Sequence, residues 1–276
     1  MAEIIKVYHI ADIHIRNLQL MKEYRDRLDD FKTKLLEDIG DTPRESVRIA
    51  ICGDIVHNKT QISNELIAFV SSWIRELEEI AKVIVISGNH DVMIGNTQRM
   101  DTLSAIFTAS QFKNAIHLDG YFGYDSGIYV DNNITWALYS IFTDFKRPDI
   151  EKVRKDYPNN TVIGLFHGPI CGSSLSNGTK METGISTDIF DGCDFVMAGD
   201  IHKRQMIKYK DTRIVYPGSL IQQNTGETIT EHGFAVWNIP KKSYEFIDLP
   251  LDYELFNYEI KTPEDLDNDK EILINL

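Results

Sequence analysis

Five short stretches of this chain carry side chains that bind metals or move protons. They are Asp12-Ile13-His14, Gly53-Asp54 with His57, Gly88-Asn89-His90-Asp91, His167-Gly168 and Gly199-Asp200-Ile201-His202. Their donors are carboxylates, a carboxamide and imidazoles, with no thiolate among them. Asp12, His14, Asp54, Asn89, His167, Asp200 and His202 supply enough of these for two divalent cations in open, roughly octahedral sites, with Mn²⁺, Fe²⁺, Mg²⁺ and Zn²⁺ as candidates. Two cations about 3.5–4 Å apart that share a carboxylate are the arrangement suited to in-line hydrolysis at phosphorus. Any one stretch is a weak signal, because Gly, Asn and Asp are ordinary turn residues. Five in one chain point to a site.

Each stretch follows an apolar run. Ile4 to Ile10, Val47 to Cys52, Ile84 to Ile86, Val162 to Phe166 and Phe195 to Ala198 read as strands that empty into polar residues, which is where open α/β sheets collect their ligands. Gly88 is expected to let the backbone turn sharply after the third run. Met21, Tyr24, Leu28, Phe31 and Leu35 recur at helical spacing in a helix from about Asn17 to Ile39, which Gly40 and Pro43 end. A second helix from about Ser63 to Ile80 carries Leu66, Phe69, Val70, Trp73 and Leu77 on its core face, with Ser63 as N-cap. The resulting β-α-β-α-β order predicts α/β layers with a largely parallel first sheet.

A helix from about Thr97 to Phe107 follows, and after Ala115 the pattern changes to short strands. These are expected over 115–118, 127–130, 134–140, 161–166, 194–198, 204–209, 213–216, 234–239 and 243–249, with one helix near Asp149 to Asp156. Gly172 to Gly184 reads as a mobile Ser/Gly/Asn-rich loop. No solenoid period and no low-complexity tract occurs.

The 276 residues suffice for one large core or a core with a small appendage, and the net charge is −13. That balance argues against nucleic-acid binding through a basic surface alone. Nearly half of the excess, however, lies between Leu251 and Leu276, with eight acids against two lysines. The rest is mildly acidic, and bound cations would make a carboxylate cluster locally positive. Cys52, Cys171 and Cys193 are too scattered for a disulfide framework or a thiolate site, and Cys52 reads as a buried free thiol. No apolar run of membrane-spanning length and no signal segment is evident, so a cytoplasmic protein is expected. His9, His117 and His232 stand outside the motifs and are assigned to packing or surface roles. Ser173, Ser174 and Ser176 have no His-acid pair placed to activate them.

In their order, the five stretches resemble the signatures of the calcineurin-like metallophosphoesterase superfamily, over about Tyr8 to Glu227. More narrowly, His57 three residues after Asp54, the following Asn58-Lys59 and the Tyr216-Pro217-Gly218-Ser219 turn resemble the nuclease subunit of SbcCD-type DNA repair complexes, a group that includes phage recombination nucleases. The resemblance implies an α/β fold, a four-layer αββα sandwich with two central mixed β-sheets flanked by helices. It implies one metal held by Asp12, His14, Asp54 and His202, and a second by Asn89, His167 and Asp200, with Asp54 bridging. His90 would act on the scissile phosphate, Asp91 would orient it, and His57 would position substrate. Arg16 and Lys203 flank two motifs and are candidates to meet phosphate.

One departure is evident: Asp200 stands where the family has His. A hard anion there favours Mn²⁺ or Mg²⁺ over Zn²⁺, so two divalent ions, Mn²⁺ foremost, are the expected cofactors. The resemblance further implies a DNA exonuclease or endonuclease of repair or recombination, a homodimer that works with an SMC-like coiled-coil ATPase of the SbcC type and has no membrane partner. Its helices near 63–80 and 97–107 would build the dimer interface. It would reside in the cytoplasm, that of a host if phage-encoded, and on the nucleoid when bound to DNA. Residues 1–250 would form the nuclease domain. The acidic segment 251–276, which ends like an interrupted strand at Glu271 to Leu276, would begin a truncated DNA-capping domain. The rival readings are a general phosphodiesterase or phosphatase of the same fold and a catalytically weak scaffold.

Overall fold

The computed structural model describes residues 2–96, 99–251 and 255. Two six-stranded mixed sheets stack face to face. In the first, β1 (Lys6–Ile10), β2 (Val47–Cys52), β3 (Lys82–Ile86) and β4 (Ala115–His117) run parallel, connected by α1 (Met21–Ile39), α2 (Asn64–Ile80) and α3 (Thr102–Ser110). After α4 (Leu118–Tyr121) the chain builds the second sheet from β5 (Gly127–Asp131), β6 (Ile134–Tyr139), β7 (Thr161–His167), β8 (Phe195–Gly199), β9 (Gln205–Tyr209) and β10 (Thr212–Tyr216), with α5 (Ile150–Asp156) between β6 and β7. Its order is β5-β6-β7-β8-β10-β9, with parallel pairing from β6 through β10. The chain then returns to the first sheet, where β11 (Gly233–Asn238) pairs antiparallel with β1 and β12 (Ser243–Asp248) with β11.

Strand alternation partitions the core. Along β1, Tyr8 and Ile10 face α1 and α2, whereas Val7 faces the opposite sheet with Ala50, Ile84, Trp136, Leu165, Met197 and Trp237. A third cluster, with Val153, Phe166, Phe190 and Ile214, packs the outer face of the second sheet under α5. Sheets covered on both faces give strands that read as continuous apolar runs. The helix stripes are buried as expected, with Leu66, Val70, Trp73 and Leu77 in the core. Ser63 caps α2 by accepting a bond from the Leu66 amide at 3.2 Å. Across the sheets, Arg48 of β2 donates two hydrogen bonds to Asp131 of β5, at 2.7 and 2.9 Å.

Two expected elements differ. The third helix begins at Thr102, where Asp101 accepts from the Ser104 amide and caps it; Thr97 lies outside the described residues. The loop over 172–184 is folded back on itself, because Gly172 and Met181 donate to Met181 and Ser173 carbonyls, and Ser174 is pinned both ways to the Gln205 side chain. His9, His117 and His232 are all buried. Cys52 and Cys193 are buried free thiols, and Cys171 is exposed. Of the acidic segment, only Leu251 and Leu255 are among the described residues, so the capping-domain start expected over 251–276 otherwise lies outside them.

Candidate metal centre

The carboxyl ends of β1, β2, β3, β7 and β8 deliver all five motifs to one place, at the seam between the sheets. β1 and β2 end in a shared turn, in which the Asp12 amide donates to Gly53 and the His14 amide to Asp54. Asp12, His14, Asp54 and Asp200 all have positive φ, from 52° to 96°. Left-handed backbone at non-glycine residues costs on the order of 1–2 kcal/mol each and persists where the surroundings over-determine it.

Three glycines make the room. A Cβ on Gly88 would meet Asp54 Oδ1 at 2.1 Å, and one on Gly199 would meet the Cys52 carbonyl at 2.1 Å and His167 Nδ1 at 2.7 Å. Gly53 combines φ of +84° with a Cβ position 2.3 Å from His167 Nδ1. Gly88 opens the expected turn, whose Asp91 amide donates to the Gly88 carbonyl at 3.1 Å, and it does so without a positive φ, its lack of a Cβ serving the close approach to Asp54.

Among the expected ligands, His14 Nε2 lies 3.0 Å from His202 Nε2 and 3.5 Å from Asp54 Oδ2. On the other side of the same oxygen, His167 Nε2 is 3.4 Å away, and it lies 3.1 Å from Asn89 Oδ1 and 3.9 Å from Asp200 Oδ1. Asp12, His14 and His202 form one group whose ligand atoms lie within 4.8 Å of one another, and Asp12, Asp54 and His167 form another. Two tautomers are set by carbonyl or carboxylate acceptors. His167 Nδ1 donates to the Cys52 carbonyl at 2.7 Å and His202 Nδ1 to Glu227 at 2.7 Å, which leaves both Nε2 atoms as lone-pair donors. Asp12 Oδ2 is buried without a hydrogen-bond partner. Converging lone pairs and an orphaned carboxylate oxygen fit cations.

The electrostatics agree. Burial raises the Asp12 carboxyl to about 7. Burial acts the same way on Asp54, but the His167 and His14 imidazoles outweigh it and hold that carboxyl well below the usual range. Burial pulls His14 down, whereas at His167 the Asp54 carboxylate overcomes burial and drives the imidazole well up. Burial also raises Asp200, whose amide donates to Asp12 Oδ1 at 2.9 Å.

His57 and His90 stack at the edge of this cluster, half-buried, with ring centroids 5.4 Å apart. His14 meets both rings edge-on. The His90 amide donates to Asp54 Oδ1, and its Nδ1 donates to the His57 carbonyl at 2.6 Å. That carbonyl, rather than Asp91, orients the His90 ring. Asp91 is fully buried and spends its carboxylate on backbone, accepting from the amides of Asp54, Gly88 and Val56 at 2.8 to 3.0 Å. The reason is reach: the turn folds the carboxylate back under the Asp54 loop.

The sequence profile of the calcineurin-like phosphoesterases matches residues 5–204, from β1 to the end of the fifth motif. The chain belongs to the calcineurin-like phosphoesterase family. This phosphoesterase is also 37% identical over 259 residues to protein R555 of Acanthamoeba polyphaga mimivirus, a match that covers 91% of the chain and 18% of R555. The chain therefore spans less than a fifth of that relative's length. The phosphopantetheinyl hydrolase of Mycobacterium tuberculosis is similar at 11% identity and a TM-score of 0.42, over 79% of this chain and 89% of that one. Among the described residues, no helix of the phosphoesterase is long and apolar enough to cross a membrane.

Sequence reasoning missed Glu227, which holds His202, because a lone Gly-Glu pair in a polar loop has no distinguishing pattern. It also missed why the Tyr216-to-Ser219 turn matters: the Ser219 amide donates to the His202 carbonyl, and Gly218, at φ of +81°, gives a Cβ position 2.8 Å from that same oxygen. Of the two flanking cations, Arg16 donates to the Gln223 carbonyl at 2.9 Å, and Lys203 lines a cavity of about 150 Å³ beside His202.

Proposed function

We propose that this phosphoesterase is a two-metal DNA nuclease that hydrolyses phosphodiesters in repair or recombination. The observation that carries the reading is the stacked His57–His90 pair standing over the ligand cluster. A hydrolase of small esters needs no second imidazole there, whereas a polymer strand has to be held as well as cut. A cavity of about 340 Å³ lined by Ser176, Asn177, Asp200, His202 and Asn224 extends the site along the surface, in keeping with an extended substrate.

Asp12, His14, Asp54 and His202 would hold one divalent cation, and Asn89, His167 and Asp200 the other, with Asp54 common to both. Bound cations supply Lewis-acid polarisation of the phosphoryl oxygen and a nucleophile at neutral pH. With Nδ1 committed to the His57 carbonyl, His90 presents Nε2 to the substrate, where its protonated form gives a proton to the leaving oxygen. His57 positions the strand. The hard donor set with Asp200 selects Mn²⁺, with Mg²⁺ second.

An SMC-like ATPase partner and a homodimer complete the proposal. The dimer would use α2 and α3; Met100 and Tyr121 are 62% and 61% exposed beside an apolar groove between α3 and α4 with Phe107 and Phe112. Cleavage of labelled single- and double-stranded DNA with Mn²⁺, beside a small phosphodiester, tests the function, with His90→Ala as control. DNA cleavage lost in the variant is the expected result. Hydrolysis of the small ester alone would overturn the nuclease reading in favour of a general phosphodiesterase.

A further inference from the structure

We infer that Glu227 is a positioning residue for the metal centre, fixing His202 directly and the Asp12–His14 turn through Gln223. The inference rests on the metal-centre reading and adds a residue that lies outside the motifs.

Glu227 lies in the loop by which the chain leaves the second sheet after β10 and returns to the first at β11. Its side chain is only 4% exposed. Oε1 accepts from His202 Nδ1 at 2.7 Å and from Asn224 Nδ2 at 2.8 Å, and Oε2 accepts from the Gln223 amide at 2.9 Å and the Ser219 hydroxyl at 3.3 Å. A buried carboxylate that takes four hydrogen bonds is rigid, and the donor that matters is the imidazole. By accepting the Nδ1 proton, Glu227 places the lone pair of His202 on Nε2, the atom 3.0 Å from His14 Nε2. Carboxylates that accept from a ligating imidazole fix its tautomer and raise its basicity.

The second arm reaches the opposite sheet. The Gln223 amide that Glu227 holds belongs to a residue whose side chain donates to the Ile13 carbonyl at 3.0 Å, between Asp12 and His14. The Gln223 carbonyl in turn accepts from Arg16. One carboxylate therefore sets the ligand that follows β8 and, one residue removed, the two that follow β1. The proposed second metal set, Asn89, His167 and Asp200, shares none of these contacts. Glu227 should act on one ion and not the other.

Titration of metal-free wild type and Glu227→Gln with Mn²⁺, followed by calorimetry and by the electron paramagnetic resonance of the free ion, tests this. Wild type takes up two ions. In Glu227→Gln, whose amide can donate to Nδ1 and reverse the tautomer, one ion binds 10- to 100-fold more weakly and the other is unchanged. Glu227→Asp keeps the charge, draws the oxygens back and falls in between. Wild-type affinity for both ions in Glu227→Gln, or an equal loss of both, overturns the inference. If near-UV circular dichroism shows Glu227→Gln unfolded, Glu227→Asp decides: selective weakening of one ion supports the role and wild-type affinity for both overturns it. A wild type that takes up no Mn²⁺ would instead overturn the metal-centre reading.

Discussion

The Nε2 atoms of His14 and His202 lie 3.0 Å apart, although one residue follows a strand of the first sheet and the other a strand of the second. Two lone pairs held that close need a proton or a cation between them. A cation there ties the sheets together, so metal removal should cost stability as well as activity. At Mn²⁺ near a hundredfold above its dissociation constant the linkage is about 2.7 kcal/mol, or roughly 5 °C in melting temperature for a chain of this size. Differential scanning calorimetry with and without chelator checks the shift, and His202→Ala should abolish most of it.

Protons compete for the same site. Burial raises Asp12 to about 7 and Asp54 raises His167 well above its ordinary value, so both groups hold protons more tightly than they ordinarily would. A cation must displace those protons, and its affinity should fall as pH drops from 8 to 6. Calorimetric titrations in buffers of different ionisation enthalpy should register proton release on Mn²⁺ binding. Uptake in place of release would contradict the assignment of Asp12 and His167.

Gly88→Ala should cripple the centre without replacing a ligand. The new methyl group would sit 2.1 Å from Asp54 Oδ1 and 2.4 Å from the Asp54 amide, so the loop that presents the carboxylate must move. Overpacking of this kind costs about 1–3 kcal/mol. Urea unfolding measures that loss, and Mn²⁺ uptake should weaken in parallel.

Asp91→Asn separates a backbone clamp from an imidazole support. Asn has one acceptor oxygen where Asp91 serves three amides, and its NH₂ would face a donor, which costs about 1–3 kcal/mol. Stability and metal uptake should drop together. Turnover per metal-loaded molecule should stay near the wild-type value, because the His57 carbonyl and not Asp91 holds the His90 ring.

Arg48→Ala tests the seam away from the site. The pair with Asp131 is 7% and 6% exposed and joins the two sheets. Arg48 outweighs burial and holds the Asp131 carboxyl below its ordinary value. Removing Arg48 leaves Asp131 with Lys82 at 3.7 Å as its remaining cation, so the loss of the two charge-assisted bonds should destabilise by about 1.5–3 kcal/mol. Turnover per folded molecule should not change.

The strands were legible because both sheets are covered on both faces, so β8, and β2 from Ile49 onward, read as apolar runs; α1 and α2 were legible because each buries a single stripe. The start of α3 was not, since Asp101 caps it with a side-chain bond that leaves no mark on hydrophobic period. All seven expected ligands meet because each ends or follows a strand, a relation visible in one dimension. What escaped depends on distance in space. Gly88 was legible as a turn but not as the neighbour of Asp54, Asp91 was given the His90 ring when its oxygens reach backbone instead, and Glu227 gained its meaning only when β10 and β11 put its loop against His202.

That crossing loop has a consequence for the newly made chain. Asp12, His14, Asp54 and Asn89 leave the ribosome early, but His167, Asp200, His202 and Glu227 come later, in that order. At about 5–20 residues per second, several seconds or more separate the first donor from the last. A nascent polypeptide passes through that interval with its earliest donors exposed and its donor cluster incomplete. Synthesis itself acts as a timer that withholds the assembled centre until the crossover is complete.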